Sequence, residues 1–214
     1  MSSARWWKRY SLKCQGRNNK LLYQVDEFKI LGIDPGSINC GYGLIKTSFP
    51  FVRDSSTPVY IASGRIILPK KTPLYLRLKT LYDILLEIIS EYRPSEMVVE
   101  SMFFAKSVKA ALNLGQARGI VLLAAASEGL SVYEYSSLEV KKAVTGYGKA
   151  EKRQVKDMVT RILNLNRIPY SVVHNPYYGA RTTEYGILSD DSADALALAL
   201  CHLNNISFKE KLKS

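Results

Sequence analysis

The sequence predicts an α/β domain, a mixed five-stranded sheet with helices on both faces. Three observations carry this. The elements read in the order β-β-β-α-β-α-β-α-α. Two short apolar runs, each of a kind that forms a strand buried on both faces, end on an acid. Between and after them lie segments with clear helical periodicity.

The first run is Ile30-Leu31-Gly32-Ile33, closed by Asp34. Pro35 and Gly36 stop strand pairing, and a second apolar segment, Gly41 to Ile45, makes a β-hairpin the natural reading. A carboxylate at the end of a buried strand is costly unless something pairs with it, although Asp-Pro-Gly is also ordinary turn chemistry. Pro58 to Leu68 alternates weakly and reads as a third strand. Leu74 to Tyr92 is an amphipathic helix with Leu74, Leu78, Leu81, Leu85 and Ile88 on one stripe, and Pro94 follows its end.

Met97-Val98-Val99 is a short buried strand ending on Glu100, and a loop tipped by Phe103 and Phe104 follows. Ser107 to Ser127 reads as a long helix rich in small residues, with Gly115 and Gly119 leaving room for a neighbour at a cost in helix stability. Leu130 to Tyr135 is the next strand. Ser136 or Ser137 caps a short helix that carries Lys141 and Lys142. Lys149 to Leu163 is a second amphipathic helix, with a basic stripe of Lys149, Lys152, Arg153 and Lys156 beside its apolar face. The stretch 164–188 shows no periodicity and reads as a long polar loop. Ser189 can cap the last helix, Asp190 to Asn204. No internal repeat is visible. This is the arrangement of a ribonuclease H-like fold, with the domain over residues 30–205. A basic extension over 1–29 precedes it, readable as a tail, a targeting segment or a mis-called start, and a basic tail over 206–214 follows.

The chain carries 30 basic and 19 acidic residues, a net charge of +11, which points to a polyanionic partner, most often nucleic acid. An anionic membrane surface is the main competitor as partner, and no apolar run approaches the roughly 18–20 residues that span a bilayer; no membrane partner is expected. Cys14, Cys40 and Cys201 are odd in number and lack metal-ligand spacing, which reads as reduced thiols in a cytosolic protein. With only His174 and His202 available, a metal here would be held by carboxylates, which favours Mg²⁺ or Mn²⁺ over zinc.

Such carboxylates exist. Asp34 and Glu100 end two strands, and Ser189-Asp190-Asp191-Ser192-Ala193-Asp194 opens the last helix. Asp191 and Asp194 share a helical face. The plainer reading makes them capping groups favoured by the helix dipole, and Asp190 is the alternative if the register is off by one. Four carboxylates from three distant segments, each at an element end, are what two Mg²⁺ ions need to activate water and stabilise the leaving oxygen of a phosphodiester. His202 lies on the same helix about 12 Å further along and reads as structural.

The runs ILGIDPGS with GYGLI, VVESMFFAKS, LNLGQARGIVLLAAA, VYEYSSLEVKKAVTGYGKAEKRQVKDMV and DDSADALALALCH cover most of residues 30–203, in the order found in the RuvC family of Holliday junction resolvases, which the chain resembles. The resemblance implies a homodimeric, Mg²⁺-dependent endonuclease that resolves four-way DNA junctions by paired symmetric nicks in recombination and repair. It implies catalytic, metal-holding acids at Asp34, Glu100, Asp191 and Asp194, with Mn²⁺ able to substitute. It puts a junction-probing aromatic at Phe103 and basic residues near the active site and the DNA at Lys141 and Lys152. Lys106, Lys109 and Arg118 are further candidates for phosphate contacts. A cytoplasmic location and the branch-migration proteins RuvA and RuvB as partners follow from the same resemblance. The N-terminal extension and the 164–188 loop are longer than the family usually carries, and neither removes a catalytic position. Competing readings are a related nuclease acting on RNA or other branched DNA, an actin-like ATPase with an Asp-x-Gly hairpin on Mg-ATP, and a non-catalytic DNA-binding module. The short length and the missing second phosphate loop argue against the ATPase, and the retained acids argue against the inert module.

Overall fold

A computed structural model describes residues 26–49, 57–101, 108–165, 171–175, 180–184 and 188–211. The elements run β1 (Asp26–Asp34), β2 (Asn39–Phe49), β3 (Val59–Ile67), α1 (Leu74–Tyr92), β4 (Glu96–Glu100), α2 (Val108–Ser127), β5 (Ser131–Tyr135), α3 (Ser137–Thr145), α4 (Lys152–Ile162), β6 (Ser171–Asn175), β7 (Ala180–Glu184) and α5 (Asp190–Lys211). The sheet order is β5-β4-β1-β2-β3-β6-β7. β1, β2 and β3 form an antiparallel meander, while β4 joins β1 and β5 joins β4 in parallel.

The five expected strands are all present and form the mixed sheet. The stretch 164–188, expected to be loop, instead contributes two more strands. β6 pairs in parallel with the β3 edge, and β7 closes an antiparallel hairpin on it. Three bounds also move. β1 begins at Asp26, so the last residues of the expected extension belong to the fold. α4 begins at Lys152 rather than Lys149, and α5 runs on to Lys211 through the expected C-terminal tail.

Strand alternation divides the core into two layers. Phe28 and Ile30 of β1, Ile45 of β2 and Val98 of β4 pack with α3, α4 and α5. Leu31 and Ile33, Cys40, Tyr42 and Leu44, and Met97 and Val99 pack with α1 and α2 on the other face. Because β1 and β4 are covered on both sides, their interiors are nearly all apolar. The same alternation turns Asp34, Glu96 and Glu100 toward α5.

Local signals set the helix ends. Ser136 and Glu139 form a reciprocal capping box at α3, which closes on Gly146 in the left-handed conformation. Arg93 ends α1 the same way, donating its N–H to Ile89 O just before Pro94. α2 is long and apolar enough to cross a membrane by length and composition, which the residue-by-residue reading did not anticipate. In the fold it buries Ala117, Val121, Ala124 and Ala125 within the layer that α1 shares, and leaves Val108, Leu112 and Leu123 exposed.

α5 lies unusually close to the sheet. A Cβ on Gly32 would stand 1.9 Å from Ala195 O, one on Gly41 2.1 Å from Asp191 O, and one on Gly43 2.6 Å from the Leu196 side chain. These three glycines remove the side-chain layer between strand and helix, so the α5 backbone rests on the β1–β2 hairpin.

Candidate active site

The close approach of α5 positions the acids. Asp34 ends β1 directly opposite Gly41 of β2. Without a side chain, Gly41 admits the Asp191 backbone, which sets the first turn of α5 over the end of β1. Glu100 ends the neighbouring parallel strand, β4. Ser189 caps α5: its hydroxyl accepts from the Ser192 N–H and pairs with the Ser192 hydroxyl at 2.7 Å.

The electrostatics show that these groups converge. Burial pushes the Asp34 carboxyl up to about 7, and the charges of Asp194, Glu100 and Asp191 push in the same direction, while Lys152 opposes them. Burial also raises Glu100, as does Asp194, against a hydrogen bond from Ser137 and the nearby charges of Lys152 and Lys141. Like-charged carboxylates sharing a desolvated corner hold a proton that a cation would otherwise replace.

Asp194 is paired with Lys152 at 2.9 Å, and Asp191 with Arg65 of β3 at 4.0 Å. The Asp194 hydrogen bond, helped by the charges of Asp194, Asp34 and Asp190, raises the Lys152 ammonium above its ordinary range. Asp190, the alternative register, faces away. It is exposed and bound to Lys156 at 2.8 Å, which lowers its carboxyl. Among the described residues, no three ligating side chains are already gathered closely enough to hold an ion. The chemistry of the set nonetheless fits hard divalent cations: the donors are all carboxylate oxygens, and burial, with the neighbouring acids adding to it, raises one of them to about 7.

Lys141 on α3 is partly buried and acts on Glu100. Lys109 is exposed near the start of α2. Phe103 and Lys106 lie outside the described residues. Arg118, a candidate for a phosphate contact, is held within the fold. Its side chain is only 12% exposed, it donates to the Glu100 backbone carbonyl, and it pairs with Glu134 at 2.7 Å. That geometry makes it a brace for the end of β4.

Sequence reasoning missed Arg65 and read Ser137 only as an alternative cap of the short helix. Their relevance comes from β3 lying beside β2 and α3 packing over β4. Gly36, whose added Cβ would meet Asn39 O at 1.8 Å, serves the turn, whereas Gly41 and Gly43 serve α5.

The family model described as crossover junction endodeoxyribonuclease RuvC matches residues 30–174. Crossover junction endodeoxyribonuclease RuvC of Heliobacterium modesticaldum is 42% identical over 179 residues, covering 84% of this chain and 96% of the relative. The protein of the same description from Desulforamulus reducens is 44% identical over 173 residues, covering 81% and 91%. Among solved structures, Thermus thermophilus RuvC in complex with a Holliday junction substrate superposes with a TM-score of 0.68 at 28% identity, over 85% of this chain and 96% of that one. The yeast mitochondrial Holliday junction resolvase Ydc2, at 14% identity and a TM-score of 0.55, covers 86% and 83% and shares the fold.

Proposed function

The chain belongs to the RuvC family of crossover junction endodeoxyribonucleases, and from that premise we propose that it resolves four-way DNA junctions by paired symmetric nicks in recombination and repair. The observation that supports this reading is the electrostatic coupling of Asp34 to Glu100, Asp191, Asp194 and Lys152 at one end of the sheet. Acids brought together from a hairpin, a parallel strand and a helix have no evident structural use, because each raises the cost of the others' charge.

In this reading the nuclease domain runs from β1 to α5, residues 26–211, and Asp34, Glu100, Asp191 and Asp194 hold two Mg²⁺ ions, or Mn²⁺ in their place. Bound there, the cations would activate water and stabilise the leaving oxygen. Lys152 supplies a positive charge beside the scissile phosphate as negative charge develops. Lys141 neutralises the same corner from α3, and Lys106 and Lys109 contact backbone phosphate, fixing the position of the DNA without reading its sequence. Phe103 stacks on bases unpaired at the junction. Symmetric nicking requires two copies of the chain, and the exposed face of α2 around Gly115 and Gly119 supplies a surface for that pairing. The branch-migration proteins RuvA and RuvB deliver the junction, the site of action is the cytoplasm, and no membrane takes part.

The test is nicking of a synthetic four-way junction against linear duplex in Mg²⁺. Paired symmetric nicks on the junction are expected, lost in Asp34→Asn and Glu100→Gln while junction binding persists. Wild-type protein that binds junctions but never cuts them in Mg²⁺ or Mn²⁺ would sink the proposal.

A further inference from the structure

Behind the acids, at the far end of the same strand and helix, lies a second polar cluster that the reaction does not use. Glu96 opens β4 and is 5% exposed, and His202 of α5 is 1% exposed. His202 Nε2 donates to Glu96 Oε2 at 2.6 Å, and the Tyr133 hydroxyl donates to Glu96 Oε1 at 3.1 Å. His202 Nδ1 and the Tyr135 hydroxyl are 2.8 Å apart. The Tyr133 ring stacks at a tilt on the imidazole with centroids 4.3 Å apart. Each side-chain nitrogen and oxygen of the Glu96–His202 pair therefore has a partner.

Such a pair is a poor investment in stability alone. Withdrawing polar, ionisable groups from water is costly, and well-packed apolar residues of similar size often do as well or better. What a buried polar pair offers is geometric selectivity, because a hydrogen bond is lost on a displacement that an apolar contact tolerates. α5 has need of that. The α5 residues that meet the strand glycines are Asp191, Ala195, Leu196 and Ala199. Small side chains over a bare backbone hold the helix close but resist sliding along its own axis weakly.

We propose that the Glu96–His202 pair is a positioning device that sets the axial register of α5 against β4, so that Asp191 and Asp194 meet Glu100. The inference rests on the reading of those acids as the metal site. The geometry matches the task. From Glu96 to Glu100 is four residues of strand, about 13 Å. From His202 back to Asp194 is eight residues of helix, about 12 Å. The helix and strand run in opposite directions, so a register fixed at one end of the couple is delivered to the other at nearly the same distance. Tyr133 and Tyr135 extend the grip to β5. Neither Glu96 nor His202 touches the acids, so neither is a catalytic residue.

The test uses the full chain, with Glu96→Ala, His202→Ala, the double variant, and Glu96→Gln, which keeps the reach and the hydrogen-bonding capacity. Three quantities are measured at temperatures where circular dichroism shows each variant folded: single-turnover junction cleavage, junction affinity, and Mn²⁺ affinity by titration calorimetry. The alanine variants are expected to cut at least about tenfold slower and to bind Mn²⁺ at least about tenfold more weakly, since a displacement of about 1 Å at the chemistry costs up to ~100-fold. Junction affinity is unchanged, the double variant is no worse than the worse single, and Glu96→Gln retains most of the wild-type rate and Mn²⁺ affinity. Folded alanine variants with wild-type rate and Mn²⁺ affinity, whatever their melting temperature, overturn the proposal. So does failure of every variant, Glu96→Gln included, to fold, which would assign the pair to stability. A wild-type chain that neither cuts nor binds Mn²⁺ refutes the underlying metal-site reading instead.

Discussion

The ammonium of Lys152 stands 2.9 Å from the Asp194 carboxylate, joining the first residue of α4 to the second turn of α5. A carboxylate proposed to hold a cation is thus already neutralised by one from the protein. The lysine side chain is 72% exposed, so the bond contributes little to stability, and the ammonium is free to turn toward a phosphate once a metal occupies the acids. Lys152→Ala is accordingly expected to bind Mn²⁺ at least as tightly as wild type, because a competitor for Asp194 is gone. It should nevertheless cut about tenfold or more slowly through the loss of transition-state charge stabilisation. Calorimetry and single-turnover cleavage separate the two effects, and an unchanged rate would reduce Lys152 to a surface charge.

Arg118 provides a second separation. As a phosphate contact, its removal would weaken junction binding and flatten the salt dependence by about one unit of slope. As the brace seen here, held by Glu134 and the Glu100 carbonyl, its removal leaves the salt slope unchanged and disturbs the strand end that carries Glu100. Arg118→Ala is expected to cut slowly with wild-type salt dependence of binding, while Lys109→Ala, exposed near the start of α2, should lower the slope.

The contrast between these residues shows what a sequence makes legible. Asp34 and Glu100 could be found because each interrupts an apolar strand at its end, where chain direction alone says the strand stops. Asp191 and Asp194 could be found because helical spacing places them together. Periodicity reports which face a residue occupies within its own element and says nothing of what crosses to it from elsewhere. Hence Arg118 could be named as a candidate for a phosphate contact without sight of Glu134 or the Glu100 carbonyl, and Arg65 went unnoticed. β6 and β7 escaped for a related reason. They add to the sheet edge beyond β3, and the mixed polar sequence SVVHN…ARTTE lacks the continuous apolar signature of a strand covered on both faces.

The glycines offer a test of helix placement that needs no change to any acid. Gly41→Ala forces a methyl to within 2.1 Å of the Asp191 carbonyl, which the rigid backbones on both sides cannot accommodate without moving α5. It is expected to lose Mn²⁺ binding and cleavage together while still binding junctions. Gly119→Ala meets nothing within 4 Å and should stabilise the isolated chain by up to about 1 kcal/mol through helix propensity. A bulky change, Gly119→Trp, should leave the fold intact and weaken self-association in sedimentation experiments. An unaltered association constant would move the pairing surface away from α2.

Asp34 makes the site visible in stability as well as in activity. In the metal-free protein its carboxyl holds a proton up to about 7, whereas in the unfolded chain it releases it near ~3.9. Between those values the native state binds more protons than the unfolded state, so stability falls as pH rises. The contribution is fully present below about 4 and is lost as pH passes through about 7. It amounts to at most about 4 kcal/mol, shared with the neighbouring acids that titrate alongside. In urea with a chelator, the wild-type midpoint is expected to drop from pH 5 to pH 8 relative to Asp34→Asn, which has no proton to lose at that position. Adding Mg²⁺ at pH 8 should restore the wild-type midpoint, since a bound cation offsets the charge that the proton had cancelled, and leave Asp34→Asn nearly unmoved. Parallel curves for the two proteins would mean that neither burial nor the neighbouring acids raises Asp34 in the folded chain.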